Sequence, residues 1–267
     1  MQSNVRILFI GDVVGKPGRK AVQLLVPRLV QNHQVDLVIA NSENAAGGIG
    51  VTPTTADELF SYGASLLTSG NHIWAKKEIV DYLARQDKLL RPANYPPGLP
   101  GYGSAIIYTE EDVALGIINL QGRVYMSSLE CPFRVAEREI DRLKGKVGAI
   151  IIDFHAEATS EKVALGWFLD GRVAAVIGTH THIQTSDERI LPRGTGYITD
   201  AGMTGSVDSV IGMKREIAID RFLTQVPHKL EVAKSNIQLQ GVILEIDTLK
   251  GKCASITRVR TSLESGE

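Results

Sequence analysis

Cysteine is scarce in this chain. Cys131 and Cys253 are the two present in 267 residues, and they stand far apart. Neither belongs to the C-x-x-C spacing of a zinc or redox site. Each reads as a buried or half-buried apolar residue, and such sparse usage fits a reducing cytoplasm. An excess of either charge is also missing: 29 Lys and Arg face 30 Asp and Glu, for a formal net charge of −1. With no stripe of Lys or Arg, binding of duplex DNA is not expected, because phosphate contact needs clustered cations. Long apolar runs are absent as well. None approaches the roughly 20 residues needed to span a bilayer, so no membrane partner is expected. The stretch between Arg6 and Asp12 is too short and too charged for the core of an export signal.

What is present suits one large layered domain, expected over residues 1–267, with 43% hydrophobic residues. The first half alternates: Arg6–Ile10, Asp36–Ala40 and Ala64–Thr68 read as strands, and Arg19–Leu29, Pro53–Tyr62 and Ala75–Arg85 as helices. Thr52 is an N-cap for the second helix, and Pro17 and Pro53 suit first turns. This rhythm predicts parallel strands with right-handed crossovers. After the Pro/Gly loop 95–101, Ser104–Tyr108 and Val113–Asn119 read as a hairpin. Helix Pro132–Leu143, strand Val147–Ile152, helix Ser160–Leu169 and strand Val173–Ile177 follow. The last third reads as β, ending in Gly241–Asp247 and Ala254–Val259, with Ser262–Glu267 as a frayed tail. Parallel strands early and hairpins late predict an α/β fold of two mixed sheets packed together with helices outside, a four-layer α/β/β/α sandwich.

Five polar clusters sit where these strands should end. They are Gly11-Asp12, Asn41-Ser42-Glu43-Asn44, Gly70-Asn71-His72, Asp153-Phe154-His155 and Gly178-Thr179-His180-Thr181-His182. Strands followed by helices gather their C-terminal ends at one edge, so the clusters can meet. Carboxylate, carboxamide and imidazole without thiolate suit a borderline to hard metal. His180 and His182, two apart on an extended segment, would point the same way. Asp12 alone reads equally as a residue near a helix start. Three donors around Glu43 are less ordinary, because carboxylates in a water-poor cleft need a compensating cation and few lie nearby in sequence. His33 and His228 read as surface or capping residues, and Lys16 and Arg19 as surface charges of the first helix. Asp153 and Asp200 are weak candidates for orienting the imidazoles.

Rival motifs fail on spacing. Gly11–Pro17 lacks the glycine separation and hydroxyl residue of a phosphate-cradling loop, and no G-x-G-x-x-G opens the first helix. No G-x-S-x-G supports a serine nucleophile.

Taken in order, the clusters resemble the calcineurin-like metallophosphoesterases, whose pattern runs D-x-H, G-D-x-x-D-R, G-N-H-[ED], a lone H and G-H-x-H. There are departures. Val14 stands for the first His, Glu43 for the bridging Asp, Ile73 for the acid after His72, and Thr179 is inserted in the last block. With Gly11–Arg19, Asn41–Gly48 and Gly202-Met203-Thr204-Gly205, they resemble the YmdB-type bacterial phosphodiesterases over nearly the whole chain. The resemblance implies a dinuclear centre, usually iron with manganese as the other choice. Asp12, Glu43, Asn44 and His182 would hold one ion, Glu43, Asn71, His155 and His180 the other, and Glu43 would bridge. It implies hydrolysis of phosphodiesters such as 2′,3′-cyclic AMP by a metal-bridging hydroxide, with His72 as proton donor. A non-catalytic nucleotide-binding regulator and a dinuclear phosphomonoesterase are the alternatives. A cytoplasmic enzyme with a small phosphodiester or cyclic-nucleotide substrate is expected, and a homo-oligomer is left open.

Overall fold

The computed structural model describes residues 4–264. Strand β1 (Asn4–Ile10) leads through the two-residue β2 (Asp12–Val13) into helix α1 (Gly15–His33), then β3 (Leu37–Asn41), α2 (Pro53–Ser61), β4 (Leu66–Thr68) and the short α3 (Ile79–Leu83). The hairpin β5 (Ser104–Tyr108) and β6 (Ala114–Gln121) is followed by α4 (Pro132–Leu143), β7 (Ala149–His155), α5 (Thr159–Leu169) and β8 (Ala175–Thr179). Short strands β9 (Arg189–Ile190), β10 (Gly196–Ile198) and β11 (Met203–Ser206) precede α6 (Arg215–Thr224) and the long pair β12 (Ile237–Asp247) and β13 (Lys252–Ser262).

One sheet runs β2-β11-β12-β1-β3-β4, with β13 paired to β12, and the other runs β5-β6-β7-β8-β10-β9. Both are mixed. In the first, β1, β3 and β4 are parallel while β12 lies antiparallel to β1. In the second, β6, β7, β8 and β10 are parallel, with antiparallel strands at the edges.

Period-two alternation explains the layering. Val5, Ile7 and Phe9 of β1 pack against Ile117, Ile151 and Ile177 of the second sheet. Leu8 and Ile10 face the other way, onto Val22, Leu25 and Leu29 of α1. Beyond the second sheet, Ile150, Ile152 and Phe154 pack on Val135 and Ile140 of α4 and Leu165 of α5. Central strands are therefore covered on both faces and read as continuous apolar runs. The result is the expected four-layer α/β/β/α sandwich.

Thr52 caps α2: its hydroxyl accepts from the Thr55 N–H at 3.2 Å, and Thr55 returns a bond to the Thr52 N–H. Other expectations need correction. The third helix shrinks from Ala75–Arg85 to Ile79–Leu83, because residues 71–78 turn back on themselves beside Glu43. Helix α6 lies where only β pattern was read. Strands β7 and β8 run to His155 and Thr179, since ladder pairing continues through Gln121–His155 and His155–Thr179. Ser262 closes β13 rather than fraying, paired with Gln238; of the expected tail, residues 265–267 lie outside the described residues.

Candidate metal centre

The parallel strands end side by side, and their last residues or the turns after them carry every candidate donor. Asp12 lies in β2, Asn41 ends β3, Asn71 and His72 follow β4, His155 ends β7, and His180 and His182 follow β8.

His155 Nε2 is the focus. It lies 2.9 Å from Glu43 Oε1, 3.0 Å from His180 Nδ1 and 3.2 Å from Asn71 Oδ1. The surrounding bonds fix which nitrogens carry hydrogen. Thr179 Oγ1 donates to Asp153 Oδ1 at 2.7 Å, so toward His155 Nδ1, at 2.9 Å, it is an acceptor. His155 then carries its hydrogen on Nδ1 and leaves Nε2 with a lone pair. His180 Nε2 faces Glu157 Oε2 at 3.0 Å, which leaves Nδ1 bare. Four lone-pair atoms thus converge, which requires a cation or a proton between them. Glu43, His155 and His180 alone could hold a metal ion.

A second group lies beside the first. Asp12 Oδ2 accepts from the His180 N–H at 3.1 Å, but Oδ1 is buried and has no hydrogen-bond partner. Asn44 donates through Nδ2 to the Gly48 carbonyl at 2.9 Å, leaving its buried Oδ1 equally unpartnered. His182 Nδ1 donates to the Ile211 carbonyl at 3.0 Å, which presents a bare Nε2 3.8 Å from Asp12 Oδ1. Buried polar atoms are seldom left unpaired, because desolvation without a partner costs about 1–3 kcal/mol each. Two orphaned oxygens and a bare imidazole nitrogen fit a second cation, and the donor set is again oxygen and nitrogen.

The electrostatics agree. Burial opposes the charged form of His155, yet Glu43, Asp12 and Asp153 overcome it and push its pKa up to about 9. Burial and the neighbouring His155 pull His180 down to about 3. Burial also opposes the Glu43 carboxylate, but His155 and His72 hold it well below the usual carboxylate range. Asp12 is raised by burial, and Asp153 is pushed up to about 6 by the same cause. Without metal, one proton between His155 and Glu43 is what holds the focus together.

His180 and His182 are not aligned by strand alternation. Their φ angles are 102° and 66°, in the left-handed region that side chains seldom adopt. The turn is clamped by Asp200, whose Oδ2 accepts from the Thr181 N–H and hydroxyl at 3.0 and 2.7 Å and from buried Lys162 at 2.8 Å. Each imidazole therefore serves a different group.

Glu43 also positions His72. Its Oε2 accepts the His72 backbone N–H at 3.1 Å, and Oε1 lies 3.2 Å from His72 Nδ1 without hydrogen-bond alignment. The His72 ring is 37% exposed at the cleft. Gly70 is required here, since a Cβ would overlap the His155 ring and the Glu43 carboxylate. Arg19 corrects the surface-charge reading: it is half-buried, bonding Glu58 and the Ala45 carbonyl at 2.5 Å, and so braces the loop behind Asn44. His33 and His228 lie on the surface as expected, the latter paired with Asp220. Thr179, Lys162 and Glu157 were missed, and Asn41, expected as a donor beside Glu43, instead spends its side chain on Asp153 and the Glu43 N–H. Only Glu157, two residues after His155, carried a spacing signal.

Two mixed sheets with helices outside, and oxygen and nitrogen donors gathered at one strand edge, define a protein of the metallophosphoesterase class. Within it, the chain belongs to the YmdB-like protein family, whose profile matches residues 8–259. A Bacillus subtilis protein named 2′,3′-cyclic-nucleotide 2′-phosphodiesterase is 49% identical over 256 residues, 96% of each chain. A Mycoplasma pneumoniae crystal structure described as a novel phosphatase superposes with TM-score 0.91 at 35% identity, covering 98% of this chain and 95% of that one. A Thermus thermophilus structure superposes with TM-score 0.89 at 40% identity, covering 97% and 99%. No helix among the described residues is long and apolar enough to cross a membrane.

Proposed function

We propose that this chain is a dinuclear metal-dependent phosphodiesterase acting on 2′,3′-cyclic nucleotides, with residues 1–267 working as one domain. The observation that carries the reading is the convergence of lone pairs on His155 Nε2 beside the orphaned oxygens of Asp12 and Asn44. In this assignment Asp12, Glu43, Asn44 and His182 hold one ion, and Glu43, Asn71, His155 and His180 the other. Iron is assigned first and manganese second, since imidazole and carboxylate donors suit both.

Two such ions supply a water-derived nucleophile at neutral pH and offset charge on the phosphoryl oxygens. The chain's own contribution is positioning and proton transfer. Glu43, the shared ligand in this assignment, also holds the His72 backbone, which fixes the proton donor beside the metal donors. His72 hands a proton to the departing ribose oxygen, an alkoxide that leaves poorly otherwise. The name of the Bacillus subtilis relative supports the cyclic nucleotide and cleavage at the 2′ position.

The test is hydrolysis of bis-p-nitrophenyl phosphate with and without chelator. Release of nitrophenol that the chelator abolishes and added metal restores is the expected result. Turnover indifferent to chelator contradicts the reading.

A further inference from the structure

β11 and β12 are joined by an excursion, residues 207–236, that carries α6 and walls the cleft beside the candidate metal centre. The cleft holds about 780 Å³, within the range of small-molecule sites. Glu43, Asn44, His72, His180 and His182 line its polar side, and Ile211, Met213, Phe222, Pro227 and Leu230 its apolar side.

Helix α6 buries only Ala218, while Phe222 is 74% exposed, with Ile219 and Leu223 also in solvent. The helix therefore does not exist to complete a core, and its apolar side chains await an occupant. Arg221, beside Phe222, is the one Lys or Arg lining the cleft. Among the described residues its guanidinium makes no ion pair and no hydrogen bond. An unengaged guanidinium and an aromatic ring, next to a cation-ready polar cluster, match a molecule with an anionic group and a flat π-face. A phosphate alone would leave the apolar side unused.

We propose that α6 is the nucleoside-recognising wall of this cleft, with Phe222 stacking on the base and Arg221 pairing with a phosphate oxygen. This rests on the phosphodiesterase reading above. Stacking on a single phenyl ring is tolerant of base identity, whereas it discriminates sharply against diesters without a base.

The experiment compares metal-loaded wild type with Phe222→Ala, Phe222→Trp, Arg221→Ala and Arg221→Lys on 2′,3′-cyclic AMP and on methyl p-nitrophenyl phosphate, a diester with no base. Phe222→Ala should raise KM for the cyclic nucleotide roughly tenfold, with kcat within about twofold, so that the ratio of kcat/KM between the two substrates falls about tenfold. Phe222→Trp should restore the ratio. Arg221→Ala should raise KM for both substrates, with partial recovery in Arg221→Lys. An equal loss on both diesters in Phe222→Ala, or no loss, overturns the inference. So does a loss that accompanies a change in sedimentation mass, which reassigns α6 to contact between copies. Wild type that cleaves neither diester instead defeats the phosphodiesterase reading on which the inference stands.

Discussion

His155 Nε2 and His180 Nδ1 face each other at 3.0 Å, each bared because the other nitrogen of its ring is engaged elsewhere. Two imidazole lone pairs cannot rest at that distance without a positive charge between them. The candidate metal centre is built around this pair, and the partners that bare the two nitrogens can each be tested by substitution.

Thr179 is the first. Its hydroxyl links Asp153 Oδ1 to His155 Nδ1, so Thr179→Val should leave the His155 Nδ1–H without its acceptor, Asp153 keeping Thr68 and Asn41, while Thr179→Ser keeps the link. Loss of an orienting partner typically lowers metal affinity about 10–100-fold. The fold should lose about 1–3 kcal/mol for a buried group left unsatisfied. Competition with a coloured chelator and a denaturant titration measure the two effects. Metal affinity equal in Thr179→Val and wild type would show that Thr179 does not set the tautomer.

His72 separates chemistry from coordination. His72→Ala should retain both ions while turnover of an alkyl diester falls by about 10²–10⁴. A nitrophenyl diester should suffer less, because its leaving group barely needs the proton. His180→Ala should instead lose metal together with activity. Parallel metal analysis and kinetics decide; undiminished cleavage of the alkyl diester by His72→Ala removes it as the acid.

Acidity gives a signed prediction. In the metal-free protein His155 is held at about 9, above its ordinary 6.5. The stability contributed by its charged form is therefore complete below about 6.5 and is lost as pH rises through about 9. Metal requires the neutral ring, so uptake between those values should displace a proton, and affinity should climb with pH before levelling near 9. His180, held near 3, adds no proton of its own across this window. Calorimetry in buffers of different ionisation heat counts the proton. Uptake at pH 7.5, a chosen value of about mid-window, without proton release would contradict the assignment of His155.

The candidate donors were legible in the sequence because each interrupts an apolar run at the end of a strand covered on both faces: Asp12, Glu43, Asn71, His155 and His180 all stand out that way. The layering was legible for the same reason, since strands such as β1 and β7 divide their side chains between a helix layer and a sheet layer. Thr179 was not, because a neutral polar residue ending a strand has many ordinary uses, and Asn41 stood out beside Glu43 but turns its amide to Asp153. The left-handed turn at His180 and His182 was hidden too, being held by Asp200 and Lys162 from elsewhere in the chain. Helix α6 escaped because its apolar residues do not pack on a core, so no clean stripe marks one face.

Diesters should be preferred to monoesters. Ala46 and Gly47 stand where the wider family carries an acid and an Arg that grips a phosphate dianion, and Arg19 is committed to Glu58 and Ala45. A terminal phosphate with several free oxygens gains most from such a fork. The value of kcat/KM for 2′,3′-cyclic AMP should exceed that for 2′-AMP and 3′-AMP. Faster turnover of the monoesters would turn the same centre into a phosphomonoesterase.

The most direct measurement is a titration of chelator-stripped protein with iron under anaerobic conditions, reading bound metal and 2′,3′-cyclic AMP hydrolysis together. The account predicts no turnover in the stripped protein, full turnover as the second ion binds, and diminished occupancy at both positions in Glu43→Ala. Turnover by stripped protein, or saturation at one ion with Glu43→Ala unchanged, would contradict it.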